Sequence, residues 1–187
     1  WDDQKMAAAV DYIQAELGAA VALTCGPDKK EHERLQRILG FCETRPLNIN
    51  SQLSLKQVAA LSARSELYFG VDTAPMHMAA AVNTPVVVLF GPTSAAQWGP
   101  WPNGWNRAEN PYRDTGGVQQ KGPHTLIQQS WDCVPCQRDG CDGSKRSRCL
   151  EELQPEQVLP YVKAAYDKAL RDSDSRFSGA HNAPPNS

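Results

Sequence analysis

The stretch FGVDTAPMHMAAAVNTPVVVLFGPTSAAQWGPW, residues 69–101, decides the fold because it contains two strand-to-helix crossings in succession. In the first crossing, an apolar strand ending at Val71 leads into Asp72 and Thr73, and a helix with proline in its first turn follows. In the second, the β-branched strand Val86–Phe90 leads into a Gly-Pro-Thr-Ser turn. Two such loops meet at the carboxyl edge of a parallel sheet, where helix N-termini bind anions, so this stretch predicts a crevice for a nucleotide-like ligand.

The same alternation of short apolar strands and helices continues on both sides of this stretch. Strands are predicted at residues 20–25, 47–49, 67–71, 86–90 and 124–128, and helices from Met6 to a capping Gly18, at 31–40 closed by Gly40, at 54–63 and 75–82, and from Pro155 to Ala169. This order predicts an α/β fold, a Rossmann-like doubly wound parallel sheet, in one domain at residues 1–170. The segment at residues 171–187 is predicted to be a mobile polar tail, because its composition cannot bury a core.

Three motifs in this chain, VDTAPMHMAAA, LFGPTS and WGPW, resemble those of a known family. They are similar to the C-terminal donor domain of glycosyltransferase family 9, the ADP-heptose lipopolysaccharide heptosyltransferases, over residues 1–170. The resemblance implies the C-terminal half of a GT-B enzyme, an inverting glycosyltransferase that moves heptose from ADP-heptose to the lipopolysaccharide inner core. It also implies a missing N-terminal domain that holds the acceptor and the catalytic base, so this chain is expected to be inactive alone.

The resemblance also assigns site residues. Family members carry an Asp-Thr-Gly-x-x-His block that contacts the donor, and it corresponds here to Asp72, Thr73, Ala74 and His77, with alanine at the glycine position. It implies that Asp72 binds sugar hydroxyls, that Thr73 and the helix amides hold phosphate, and that His77 stabilises the departing diphosphate. From the residues alone, Asp72 would more simply cap the helix, and His77 would be a hydrogen-bonded core residue.

Two further loops supply candidate donor contacts. In the family an acidic residue after the first strand contacts the donor nucleoside, and this implies Asp28, with Glu31 as the second choice. Capping of the following helix explains Asp28 equally well. Thr93 and Ser94, after the strand Val86–Phe90, are candidates to bind phosphate through hydroxyl and backbone donors, although an ordinary capped turn also explains them.

Four of the six cysteines lie close together with the spacing C-x2-C-x4-C-x7-C. These four are Cys133, Cys136, Cys141 and Cys149. Cysteines at CxxC spacing share one tetrahedral ion in many proteins, so the cluster predicts a structural zinc site, with free or oxidised thiols as the alternative. The family resemblance implies no metal for catalysis.

Three of the five tryptophans lie in the loop that follows Ser94. These are Trp98, Trp101 and Trp105, in a segment rich in proline and glycine. One interpretation is that they anchor a long connection to the sheet. The other is an aromatic wall beside the adenine or the sugar, and the sequence favours anchoring.

Composition excludes several classes of function. The 187 residues carry a formal net charge of −2, with 41% hydrophobic and 21% charged residues, so we expect no nucleic-acid partner. No apolar run is long enough for a membrane span, so we expect a cytoplasmic protein, which the resemblance places at the cytoplasmic face of the inner membrane. The rival hypothesis is a non-catalytic nucleotide- or sugar-binding module with a structural zinc site.

Overall fold

The computed structural model describes residues 1–50 and 53–178 and confirms the predicted α/β alternation. The strands are β1 (Ala22–Cys25), β2 (Leu47–Asn50), β3 (Tyr68–Val71), β4 (Val86–Phe90), β5 (Gln119–Lys121) and β6 (His124–Gln128). The helices are α1 (Asp3–Ala15), α2 (Lys29–Phe41), α3 (Leu55–Ala63), α4 (Ala74–Ala81), α5 (Ala95–Trp98), α6 (Arg148–Glu151) and α7 (Pro155–Ser178), with a 3-10 turn at Cys141–Gly143. In the part of the chain described, no helix has the length and apolar character needed to cross a bilayer.

The hydrogen-bonded strands form two sheets. β1 pairs with β2 in parallel, and a four-stranded sheet has the order β3-β4-β6-β5, in which only β5 runs antiparallel to its neighbour. Val71 of β3 is opposite Leu89 of β4, and Phe90 is opposite Gln128 of β6. The carboxyl ends of β3, β4 and β6 therefore reach one edge of the sheet, which brings the loops after β3 and β4 side by side.

Strand β4 lies at the centre of the fold, and all five of its residues are buried. Val86, Val88 and Phe90 pack with α4 on one face of the sheet. Val87 and Leu89 pack with α1 and α7 on the other face. A continuous apolar run is typical of a parallel strand that is covered on both faces, and the doubly wound arrangement is confirmed.

The first residue belongs to the core. The Trp1 indole N–H donates to the Leu153 carbonyl at 2.8 Å, and its ring meets Phe69 edge to face at a centroid distance of 6.0 Å. Trp1 thus joins the segment before α7 to strand β3.

The structure differs from the sequence prediction at two helix ends. Gly40 does not close α2, which continues to Phe41 and is followed by Cys42 as its C-cap. Helix α7 continues to Ser178, so the first eight residues of the predicted tail at 171–187 are helical. Residues 171–178 contain neither glycine nor proline, and adding residues to an existing helix needs no new nucleus. Residues 179–187 lie outside the described part of the chain.

His124 on β6 predicts a pH dependence of stability. It is 1% exposed, both ring nitrogens lack a hydrogen-bond partner among the described residues, and burial lowers its pKa from 6.5 to about 4. Between these two values the unfolded chain binds a proton that the folded chain does not. The free energy of unfolding should therefore fall by about 3 kcal/mol as the pH drops from about 6.5 to about 4.

Urea unfolding across this pH range measures the effect. In the variant His124→Phe this contribution should disappear. The control His32→Ala changes a partly exposed histidine on α2 and should keep the wild-type dependence of the free energy of unfolding on pH. An unchanged slope in His124→Phe would contradict the prediction.

Candidate functional site

The candidate site lies at the carboxyl edge of the four-stranded sheet, between the loop after β3 and the loop after β4. The loop after β3 is tied to strand β4, because the Asp72 N–H donates to the Leu89 carbonyl at 3.3 Å. Gln128 at the end of β6 holds the second loop, since its side-chain Nε2 donates to the carbonyls of Gly91 and Thr93, each at 2.8 Å. Sequence reasoning missed Gln128, whose only signal was a polar residue at the end of a buried strand.

Three predicted site residues converge here. His77 Nε2 lies 3.7 Å from Asp72 Oδ1, and the Thr93 side chain forms a hydrogen bond with the Asp72 carboxyl group. Burial raises the pKa of Asp72, and Thr93 and His77 oppose that shift. The Asp72 side chain is 19% exposed and that of His77 is 41% exposed, so both remain open to a ligand.

Asp72 does not cap helix α4. The N-cap is Thr73, which has an extended backbone and makes no side-chain capping bond. Its hydroxyl instead donates to the Val71 carbonyl at 3.2 Å and is hydrogen-bonded with Tyr68. The amides of the first turn therefore have no side-chain acceptor within the described structure, and they lie beside exposed Ala74 at the positive end of the helix dipole.

Tyr68 is a second residue that sequence reasoning missed. A Cβ atom at Gly70 would lie 2.9 Å from the Tyr68 hydroxyl, so the glycine leaves room for the ring to fold back along β3 toward Thr73. Burial raises the pKa of Tyr68, and its hydrogen bond with Thr73 opposes that shift. Gly70 in an otherwise apolar strand was the available signal, because glycine inside a strand often marks a close approach.

Ser94 has an internal role. It is 4% exposed, its hydroxyl accepts the Gln97 N–H at 3.1 Å as the cap of α5, and it also donates to the Asp114 carboxylate. The capped turn, one of the two interpretations of this residue, is what the structure shows for its hydroxyl. The neighbouring Thr93 is the member of the pair whose side chain reaches Asp72.

Asp28 and Glu31, the candidates after strand β1, make their hydrogen bonds close to that strand and helix α2. Asp28 is exposed and caps α2 by accepting the Lys30 N–H at 2.8 Å. Glu31 Oε2 accepts the Gly26 N–H at 2.7 Å and closes the loop after β1. No hydrogen bond or ion pair between described residues connects either carboxylate to Asp72. The nucleoside contact assigned to Asp28 or Glu31 stays a prediction.

The four clustered cysteines share one neighbourhood. Cys133 and Cys136 are exposed, Cys141 is half-buried and Cys149 is buried, and all are free thiols. The pKa of Cys149 is raised, chiefly by burial, and the other three thiols add smaller contributions in the same direction. Among residues 1–50 and 53–178, however, no three or more His, Cys, Asp or Glu side chains are arranged to hold a metal ion. The zinc site therefore stays a prediction of the sequence.

The cysteine-rich segment packs behind the loop after β4. The Gln137 N–H donates to the Pro92 carbonyl at 2.8 Å. A Cβ atom at Gly91 would lie 3.3 Å from the Leu150 Cβ, so the two backbones pack tightly at that point. The segment therefore supports the loop after β4 through both contacts.

Thiol labelling distinguishes free thiols from a zinc site. With a maleimide reagent and mass spectrometry, we expect Cys133 and Cys136 to react first because they are exposed, and Cys149 last because it is buried and its raised pKa keeps it protonated. Four thiolates bound to zinc would instead be protected together until a chelator is added. Fast labelling of Cys133 and Cys136 without chelator would contradict the zinc site.

Comparison with known proteins identifies the family. Residues 1–118 match the profile described as glycosyltransferase family 9 (heptosyltransferase). The chain is 40% identical over 104 residues to lipopolysaccharide heptosyltransferase 3 of Escherichia coli, covering 55% of this chain and 30% of that protein. It is 27% identical over 144 residues to lipooligosaccharide heptosyltransferase 2 of Campylobacter jejuni, covering 75% and 39%.

Solved structures show the same fold. A glycosyl transferase of family 9 from Veillonella parvula superimposes with a TM-score of 0.67 at 20% identity, over 90% of this chain and 42% of that one. The E. coli ADP-heptose lps heptosyltransferase II gives 0.65 at 22% identity, with the same coverage. The chain thus spans well under half the length of these relatives. By its sequence match over residues 1–118, the chain belongs to glycosyltransferase family 9, the heptosyltransferase family.

Proposed function

We propose that this chain is the donor-binding part of an inverting heptosyltransferase that takes heptose from ADP-heptose and transfers it to the lipopolysaccharide core. The observation that carries the proposal is the convergence of Asp72, His77 and Thr93 beside the uncapped N-terminus of α4. ADP-heptose as the donor is supported by the name of the E. coli heptosyltransferase II, which shares the fold. This chain covers 42% of that protein, and in the proposal the acceptor site lies in the remaining part.

The diphosphate binds at the start of α4 in this proposal. The first turn, whose N-cap Thr73 makes no side-chain capping bond, and the positive end of the helix dipole favour an anion there. In the proposal the Thr73 hydroxyl, which donates to the Val71 carbonyl in the empty site, turns to the phosphate, and the backbone at Ala74 completes the contact. Thr93, in the adjoining loop, lies beside the Asp72 carboxyl group, and we assign it to the same ligand.

Asp72 binds hydroxyl groups of the heptose. Its carboxylate is mostly buried and is not used by the fold to cap α4, so its remaining acceptor positions serve a ligand. Burial, which raises its pKa, disfavours the charged form of Asp72 in the empty site. Sugar hydroxyls that donate to the carboxylate replace the hydrogen bonds it lost with water.

The proposed reaction is a direct displacement at the anomeric carbon. A base in the missing part removes the proton of the acceptor hydroxyl, whose oxygen forms the new bond to that carbon. The bond from the carbon to the diphosphate oxygen breaks, and the electron pair leaves with ADP. His77 and the α4 dipole stabilise the charge on the leaving group, a role that the proposal assigns to no metal. We place the reaction at the cytoplasmic face of the inner membrane.

The variant Asp72→Asn tests the sugar contact. Removing a charged acceptor while keeping the shape should weaken ADP-heptose binding roughly 10- to 100-fold, because hydrogen bonds to a charged group contribute about 1.5–3 kcal/mol. Binding of ADP should change little, and the fold should persist because Asp72 makes no capping bond. Calorimetric titration with ADP-heptose, ADP and UDP-glucose measures these affinities.

The matched control is Asp139→Asn, which alters an exposed carboxylate in the cysteine-rich segment and should leave all affinities unchanged. An Asp72→Asn variant with wild-type affinity for ADP-heptose would remove Asp72 from the site. A wild-type chain that binds neither ADP nor ADP-heptose at millimolar concentration would overturn the proposed donor site.

His77 is tested by comparing two ligands. The variant His77→Ala should weaken the binding of ADP and the binding of ADP-heptose by a similar factor, roughly 3- to 10-fold. The reason is that a single hydrogen bond to the diphosphate is lost in both complexes. His77→Gln retains a donor and should recover part of the affinity. A loss confined to ADP-heptose would move His77 from the phosphate to the sugar.

A further inference from the structure

We propose that Trp98 is a specificity-determining residue whose indole face forms the apolar wall of the donor site and stacks against the transferred sugar. This inference rests on the proposed function. In this inference Trp98 contacts the C–H face of the pyranose ring, while Asp72 binds the hydroxyl groups at the edge of the ring.

The tryptophans of this chain fall into two groups. Trp1 is buried and bonded to Leu153, Trp105 donates to the Glu109 carbonyl at 2.8 Å, and Trp131 lies 5.9 Å from the Arg148 guanidinium. These three have packing or hydrogen-bond roles that account for them. Trp98 and Trp101 are 47% and 51% exposed, neither indole N–H has a hydrogen-bond partner among the described residues, and of these two Trp98 makes a ring contact with His77. The anchoring interpretation thus accounts for Trp105 and does not account for Trp98.

Trp98 is also held in a fixed position. The backbone N–H of Trp98 donates to the Ser94 carbonyl at 3.0 Å. This bond lies in the short helix α5, which begins at fully buried Ala95. Immediately after it, a Cβ atom at Gly99 would lie 2.4 Å from the ring of buried Tyr112, so the backbone passes directly against that ring. Ser94 before Trp98 and Gly99 after it therefore restrain the backbone from which the exposed indole projects. An aromatic group held in this way binds at a low cost in conformational entropy.

The exposed indole adjoins the predicted sugar site. Its ring centroid lies 6.4 Å from that of His77, at an interplanar angle of 64°, and His77 in turn lies 3.7 Å from Asp72. The three side chains form a continuous row, with the carboxylate at one end and the tryptophan at the other. Such a row offers one hydrogen-bond acceptor and one apolar face. A pyranose ring has hydroxyl groups that donate to the acceptor and a C–H face that packs on the apolar surface.

The sugar is a better occupant of this wall than the adenine. The diphosphate binds at the start of α4 and separates the two ends of the donor, so the group beside Asp72 is the sugar. Trp98 contacts His77, which lies 3.7 Å from Asp72, so one residue joins the indole to the carboxylate that we assign to the sugar. A sugar of the lipopolysaccharide core acceptor is the other source of a pyranose face, and titration with the donor in the absence of acceptor separates these two sources.

The test is calorimetric titration of four proteins with ADP-heptose and with ADP. We expect Trp98→Ala to weaken ADP-heptose binding roughly 10-fold and to change ADP affinity less than 2-fold, and Trp98→Phe to recover most of the loss. The matched control is Trp101→Ala, which removes a tryptophan that is 51% exposed but makes no ring contact with His77 in the described structure. Thermal unfolding checks that each variant is folded.

Two results would overturn the inference: an equal loss for ADP and ADP-heptose in Trp98→Ala, or no loss for either. The second result would be expected if the missing part of the protein, rather than the donor, covers Trp98. If Asp72→Asn abolishes binding while Trp98→Ala does not, only the inference on Trp98 fails. If the wild-type chain binds neither ligand, the proposed function fails, and the role of Trp98 fails with it.

Discussion

The structure depends on the burial of strand β4 between two parallel neighbours and two helical layers. Its alternating residues supply side chains to both cores, so the strand cannot shift by one position without exchanging the two sets. This register also fixes where the chain leaves the sheet. Val71 opposite Leu89 brings the loops after β3 and β4 together, and Phe90 opposite Gln128 puts an amide side chain beneath the second loop. The polar site is thus a geometric result of apolar packing.

The polar side chains at this edge are of two kinds. Ser94 and Gln128 are buried, and their hydrogen bonds are used within the protein, so they shape the loop after β4. Asp72 and His77 are partly exposed and are not used in capping the helix that they adjoin. Separating internal from available hydrogen-bonding groups in this way is what identifies the second pair as candidates to contact a ligand.

The sequence predicted long-range order better than local detail. Strands Val86–Phe90 and His124–Gln128 were predicted with their observed bounds. The first has a clear signal as a run of β-branched and apolar residues, whereas the alternation of the second is weak. Strand β5 and helices α5 and α6 were missed, since three or four residues carry no measurable period. From the residues alone Asp72 was the simpler helix cap, because composition cannot reveal that Thr73 takes that place, and only the family resemblance assigned Asp72 to the donor. Tyr68, Gln128 and Trp98 required coordinates, because their partners are distant along the chain or belong to another element.

The pair of hydrogen bonds from Gln128 limits how this loop can change by mutation. One amide nitrogen satisfies two carbonyls, so glutamate at this position would place an acceptor against two acceptors, and asparagine would be shorter by one methylene. Position 128 therefore has almost no substitution that keeps the turn, whereas the exposed positions of the same loop have no such requirement. A protein built in this way can alter the ligand that it prefers, through side chains such as Trp98, while the backbone that presents them stays constant.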